Sequence, residues 1–328
     1  MARVLVTTLF IRSPDDPSLE PLRHDGHAIE LVDGITVRAE RALAERLQGV
    51  AATLASTEPY TETVLGQASD LKVISRTGVG YDAIDVSAAT RHGVLVCTTP
   101  GTNHHAVADL ALTLILAQSR RLLDAVNLLR GGGWTPQPVG FELRGTTVGV
   151  IGTGLIGREV VKRLHGFEPR LLAYDVAQNP ELASRYNVEY VSFDQLLSQS
   201  DVITLHAPLL PETRGMIDAS ALAKMRRSAY LVNTARGPLV DEQALADALA
   251  SGTIAGAALD VMHVEPLPAD SPLRQAPNLV LTPHIASSTH QSIDAMKRMA
   301  VENAARVLRG EPPLSCLNAE VLTSSVST

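Results

Sequence analysis

Three side chains in the last third of this 328-residue chain, Arg236, Glu265 and His284, are of the types that move a proton and grip an anion. They lie in the polar segments Asn233-Thr234-Ala235-Arg236-Gly237, Asp260-Val261-Met262-His263-Val264-Glu265-Pro266 and Thr282-Pro283-His284-Ile285-Ala286-Ser287, each following an apolar run. A histidine, with an ordinary pKa of about 6.5, can be charged while a carbonyl is reduced and neutral while an alcohol is oxidised. A carboxylate accepting from its other ring nitrogen favours the charged form and holds the ring. Arginine presents a permanent planar fork that grips a carboxylate and polarises the adjacent ketone, which lysine does less well. Taken singly, the three read more readily as a turn histidine, a solvated loop carboxylate and a surface charge. Together they follow predicted strands, where open α/β sheets bind ligands, and they accompany a second signal.

That signal is the apolar run Thr147-Val148-Gly149-Val150-Ile151 entering Gly152-Thr153-Gly154-Leu155-Ile156-Gly157. The first glycine suits the tight turn, Gly154 the approach of backbone to a pyrophosphate, and Gly157 close helix packing. A helix from Leu155 to about His165 would aim its free N–H groups and positive dipole end at the phosphates. The run Leu171-Leu172-Ala173-Tyr174 then ends at Asp175, where a carboxylate accepts from the adenosine ribose hydroxyls. No arginine follows Asp175 directly to meet a 2′-phosphate, so the motif predicts NAD rather than NADP.

The elements that must position these residues form an alternation of short Val/Ile/Leu runs and helical patterns, the pattern of doubly wound parallel sheets. A first set of strands is expected at 4–8, 28–31, 50–54, 73–75 and 94–97, and a second beginning at Val148 and continuing at 171–174, 188–190, 202–205, 230–232, 254–259 and 279–281. Between them, Thr102 to about Arg130 reads as one long connecting helix ended by three glycines. A second long helix, Ser292 to Leu308, is expected to return to the first domain. The predicted architecture is α/β: an NAD-binding Rossmann domain, 102–289, inserted into a flavodoxin-like substrate domain made of 1–101 and 290–328, with a cleft between them and hinges near 100–102 and 286–290. The small, polar tail 318–328 is expected to fray.

Composition narrows the function classes. The net charge of −7 is scattered, which argues against nucleic acid or an anionic membrane as partner. The apolar N-terminal run is too short for a signal peptide and is followed at once by Arg12, Pro14 and two aspartates; no other stretch approaches the roughly 18 apolar residues of a membrane span. Cys97 and Cys316 match no metal or redox spacing, which suits a reducing compartment and makes the cytoplasm the expected location. The remaining histidines form no recognisable ligand set, so no metal is expected.

The fingerprint, Asp175 and the Arg236/Glu265/His284 segments, in this order, resemble the D-isomer-specific 2-hydroxyacid dehydrogenase family, in its phosphoglycerate dehydrogenase and glyoxylate/hydroxypyruvate reductase branch. The likeness runs from about Leu71 to about Arg309, and the first seventy residues match only in pattern. It implies an NAD-dependent enzyme passing a hydride between nicotinamide and C2 of a small 2-hydroxy or 2-keto acid, with D preference. His284 would be the proton donor, Glu265 its partner and Arg236 the carboxylate grip. The resemblance assigns the cofactor to Gly152, Gly154, Leu155, Ile156, Gly157, Asp175, His206, Ala207, Thr213, Thr234, Ala235, Arg236, Asp260, His284 and Ala286, with Val107 and Asn103 passing under the nicotinamide. It assigns the substrate carboxylate to the backbone N–H groups of Val79 and Gly80 in Arg76-Thr77-Gly78-Val79-Gly80-Tyr81-Asp82, with Arg76 and Ser56 nearby and Arg236 opposite. The helix through 102–130 resembles the segment by which relatives form homodimers. Glu265, where formate dehydrogenases have glutamine, argues against that branch; Ala55, where phosphoglycerate dehydrogenases carry an arginine, weakens phosphoglycerate. Two other readings stay open: an NAD(H)-sensing, corepressor-like binding protein, and phosphite oxidation on the same scaffold.

Overall fold

Short apolar runs set this fold, because a parallel strand covered on both faces has no polar face to alternate with. The computed structural model describes residues 1–324, in two compact units, one of Met1–Asn103 with the segment from Thr289 onward and one of His104–Ser288.

In the first unit β1 (Arg3–Val6), β2 (Ala28–Leu31), β3 (Val50–Ala55), β4 (Val73–Arg76) and β5 (Leu95–Cys97) pair in the order β2-β1-β3-β4-β5, all parallel, which is the flavodoxin-like order. One face carries Leu5, Val50, Ile74 and Val96; the other carries Val4, Val6, Leu54, Val73 and Cys97 with Ala300, Val301 and Ala304 of the helix His290–Leu308.

The second unit holds β6 (Thr147–Ile151), β7 (Arg170–Tyr174), β8 (Glu189–Tyr190), β9 (Val202–Leu205), β10 (Tyr230–Asn233), β11 (Gly256–Leu259) and β12 (Leu279–Leu281). Their order, β12-β11-β10-β9-β6-β7-β8, is all parallel and reverses at β6/β9, as in the Rossmann fold. Successive residues feed opposite faces: Leu231 enters the cluster with Ile151, Ile203 and Leu259, and Val232 the one with Val150, Val202 and Ala258. The candidate residues that follow a strand do so at its C-terminal end, the edge of an open α/β sheet at which ligands bind.

The helix expected through 102–130 is two, His104–Ser119 and Leu122–Arg130. It stops because the returning chain takes its terminal carbonyl: Phe141 N–H donates to Ser119 O at 2.7 Å, where the next helical turn would have bonded. Arg121 then turns left-handed at φ 47°, its Nε bonded to Asp124 Oδ2 at 2.7 Å.

Nor do the described residues of the tail fray. Leu317 N–H bonds Val96 O at 2.9 Å, and the fully buried Asn318 accepts from Val96 N–H and donates to Val94 O, both at 2.8 Å, covering the edge strand β5 before the helix Glu320–Ser324. Residues 325–328 lie outside the described residues. The same segment brings Cys316, remote in sequence, against the core around Cys97, its Sγ donating to Asn318 Oδ1 at 3.4 Å; both cysteines are free of disulfides.

Candidate active site

Two loops, at the ends of β11 and β12, bring His284 and Glu265 together. His284 Nδ1 lies 2.7 Å from Glu265 Oε2, and Glu265 Oε1 accepts from Met262 N–H at 3.0 Å. Burial alone would push the Glu265 carboxyl up; the His284 hydrogen bond and charge, the Met262 N–H and the Arg236 charge outweigh it and hold the group below its ordinary value. Both side chains remain about one-third exposed, so the far nitrogen of the imidazole can meet a small molecule.

His284 sits at φ 53°, a conformation that a non-glycine residue adopts only when its surroundings dictate it. Asp260 supplies that constraint. Its carbonyl accepts from His284 N–H at 2.8 Å, while its carboxylate accepts from Thr282 Oγ1 at 2.6 Å, Ile285 N–H at 2.9 Å and Ala286 N–H at 2.8 Å. Burial nevertheless wins over these donors and over the His284 charge, so the Asp260 carboxyl lies above its usual range. In the structure this side chain is therefore the clasp of the His284 turn.

Arg236 comes from the loop after β10. Buried Asn233 shapes that loop by accepting from Ala235 N–H at 3.0 Å and donating to Arg236 O at 2.8 Å, and Arg236 Nη1 folds onto Ala235 O at 2.7 Å. Gly237 makes the approach to the Glu265 loop possible, since a Cβ there would lie 2.0 Å from Met262 C and 2.2 Å from its carbonyl oxygen. A further pin, Glu242 at the start of the helix Glu242–Ser251, accepts from His263 N–H at 2.6 Å. Nothing in the spacing of the sequence announces Glu242, whose partner is 21 residues away.

The glycines of the fingerprint separate by role. Gly152 has φ 88°, and a Cβ on it would lie 2.6 Å from Ala207 N; a Cβ on Gly157 would lie 1.9 Å from Gly152 O. A Cβ on Gly154 would meet nothing within 4 Å, which leaves the helix N-terminus at Leu155 open to a phosphate. At the end of β7, Asp175 accepts from Thr153 N–H and Oγ1 at 2.6 and 3.0 Å. His206 is enclosed, its Nε2 2.9 Å from Thr204 Oγ1, and burial pulls its imidazole down to about 3, so it is neutral. Thr213 closes the following loop by donating to Pro208 O at 2.7 Å and accepting from Leu210 N–H at 2.8 Å. Thr234 Oγ1 and His206 Nδ1 are buried without a hydrogen-bond partner, the condition of polar atoms that await a ligand. Ala235 follows Thr234 in the same loop; Val107 and Ala286 are buried, and Ile156 is half-buried. An open glycine turn, a strand-end carboxylate and orphaned polar atoms fit a dinucleotide.

In the first unit the loop after β4 carries Val79 and Gly80, half-buried, and Gly78 at φ 153°. Arg76 folds back over this loop, so a Cβ on Gly78 would fall 1.8 Å from its Nη1. Ser56 N–H is bonded to the buried Glu58 at 2.8 Å.

Fold and strand-end chemistry together define a nucleotide-dependent dehydrogenase. Residues 112–286 match the model of the D-isomer specific 2-hydroxyacid dehydrogenase NAD binding domain, and the chain belongs to that family. A glyoxylate reductase of Thermofilum pendens is 43% identical over 272 residues, which is 81% of this chain and 80% of the relative. A D-3-phosphoglycerate dehydrogenase of Archaeoglobus fulgidus is 38% identical over 304 residues, 92% of this chain and 57% of the relative. The crystal structure of the TT0316 protein of Thermus thermophilus superposes with a TM-score of 0.87 at 37% identity, covering 96% of this chain and 99% of that one. The protein is thus an NAD-dependent D-2-hydroxyacid dehydrogenase, and these relatives do not favour the sensing or phosphite-oxidising alternatives.

Proposed function

We propose that this dehydrogenase reduces a small 2-keto acid of the glyoxylate and hydroxypyruvate class, with His284 as proton donor, Glu265 as its orienting partner and Arg236 as the grip on the substrate carboxylate. The observation that carries the assignment is the 2.7 Å bond between His284 Nδ1 and Glu265, which leaves the other ring nitrogen to face the carbonyl oxygen. Bound NADH supplies the hydride. His284 then gives its proton to the developing alkoxide, and Glu265 stabilises the charged ring before that transfer. The planar fork of Arg236 orients the acid and polarises its ketone. Ribose and pyrophosphate are assigned to Asp175 and to the turn Gly152–Gly157, with Thr234 Oγ1 and His206 Nδ1 available for further polar contacts. The small-acid reading draws on the glyoxylate reductases among the relatives and on Ala55, too short to hold a phosphate tail. NADH oxidation measured against glyoxylate, hydroxypyruvate, pyruvate and phosphohydroxypyruvate tests it. High turnover confined to the phosphorylated acid would overturn it.

The same reading makes the protein a homodimer through the helix Leu122–Arg130, none of whose residues is buried. Two free thiols suit a reducing compartment, and we assign the protein to the cytoplasm.

A further inference from the structure

Around Asp175 a chain of hydrogen bonds runs through two residues that the dehydrogenase motif does not include. Asn179 N–H donates to Tyr190 Oη at 2.9 Å, Tyr190 donates to Thr153 Oγ1 at 3.1 Å, and Thr153 donates to Asp175 Oδ2 at 3.0 Å. Its direction is forced, because a backbone N–H can only donate and an ionised carboxylate can only accept, so each hydroxyl has one orientation available. Hydrogen bonds aligned in this way polarise one another. Thr153 is buried, so a partner lost there leaves a buried hydroxyl short of a hydrogen bond.

We infer that Tyr190 is a cofactor-selecting positioning residue: through Thr153 it holds the Asp175 carboxylate in the orientation that accepts an adenosine ribose hydroxyl. The inference rests on the assignment of Asp175 to the ribose. Oδ2 is taken up by Thr153 N–H and Oγ1, and Oδ1 receives Ala177 N–H at 3.1 Å, which leaves one of about four acceptor positions, on Oδ1, for a ribose donor. The carboxylate is locked from behind and open on one side. A ribose hydroxyl can donate to that side; an ionised 2′-phosphate has no proton to offer and meets a fixed negative charge. Tyr190 also ties Asn179, at the far end of the loop that follows Asp175, so one hydroxyl holds both ends of the ribose loop. Its ring, on the two-residue edge strand β8, packs against the core cluster of Leu171, Ala173 and Leu182, a contact that Tyr190→Phe keeps, so that variant isolates the hydroxyl.

The test is titration of the purified enzyme with NADH and with NADPH by nicotinamide fluorescence, joined to steady-state kinetics, for Tyr190→Phe, Thr153→Val, Thr153→Ser and Asp175→Ala. Tyr190→Phe and Thr153→Val should weaken NADH about three- to tenfold, the size of one neutral hydrogen bond. NADPH binding should hold or improve, and the loss should fall on KM for NADH rather than on kcat. Thr153→Ser keeps a hydroxyl and should restore NADH affinity. Equal weakening of NADH and NADPH, together with a lower melting temperature of the free protein, would reduce Tyr190 to a structural residue and overturn the inference. Unchanged NADH affinity in Tyr190→Phe beside a large loss in Asp175→Ala would overturn the relay but keep the ribose assignment. Unchanged affinity in Asp175→Ala would overturn both.

Discussion

The ring of His284 is fixed from two directions, by Glu265 at Nδ1 and by Asp260 through the turn that carries it. On the proposed roles, losing the imidazole removes the proton and leaves the NAD site intact, so His284→Gln should lower kcat by about 10²- to 10⁴-fold with NADH affinity within a fewfold of wild type. Unchanged turnover in initial-rate assays would refute the assignment. The pH dependence follows from the same pair. Keto-acid reduction needs the protonated ring and hydroxy-acid oxidation the neutral one, so the two directions should slope oppositely with pH and both slopes should vanish in His284→Gln. Glu265 adds a limit at low pH. Its carboxyl is held below the ordinary value in the fold, so the stability it contributes is complete above its unfolded pKa of about 4.3 and is lost as pH falls through the lower folded value. Asp260, displaced the opposite way, contributes most below its unfolded value and loses that contribution as pH rises through its raised folded one. Melting curves of Glu265→Gln and wild type should therefore converge in acid and separate towards neutrality. A difference independent of pH would contradict the shift.

At the scale of elements, the site depends on loops lying closer together than a side chain permits. Gly237→Ala would press a methyl into the Met262 peptide, and backbone cannot yield cheaply there. The loops after β10 and β11 should part, raising KM for the keto acid and lowering kcat, and NADH should bind more weakly as well, because Thr234 and Ala235 of the same loop are assigned to the cofactor. A variant kinetically like wild type would show that this contact does not set the position of Arg236. Elements of this kind were unevenly legible in the sequence. The strands at 28–31, 202–205 and 279–281 fall where the residues place them, because each is a short, mostly apolar run between turn residues. The polar segments after β11 and β12 hold Glu265 and His284, which the structure brings within hydrogen-bond distance. The break after Ser119 carries neither glycine nor proline; it is made by Phe141, and no helical periodicity contains that contact. Asn318, small and polar near the chain end, reads as tail until β5 is seen to need an edge partner. The relay behind Asp175 was hidden likewise, since Thr153 and Tyr190 stand 37 residues apart.

For the whole molecule, the unfinished surface is the region 122–139. The helix Leu122–Arg130 is amphipathic yet buries none of its residues, and Leu129 is 61% exposed, Trp134 69% and Val139 83%. Apolar side chains clustered at that exposure mark an association face. A second copy of the same chain is the proposed occupant, since the apolar faces of two identical helices can cover one another across a twofold axis, each chain giving about 800 Å² to a standard interface. In sedimentation equilibrium the 34.9 kDa chain should then behave as a species of twice that mass at micromolar concentration. Leu129→Asp combined with Trp134→Asp should yield a monomer, because burying two carboxylates at an apolar interface costs more than that interface gains. NADH titration of this variant reports whether the nucleotide site survives, as its residues lie on other elements. A wild-type chain that sediments as a monomer at tens of micromolar would leave the exposed face without its proposed partner, and the homodimer would have to be given up.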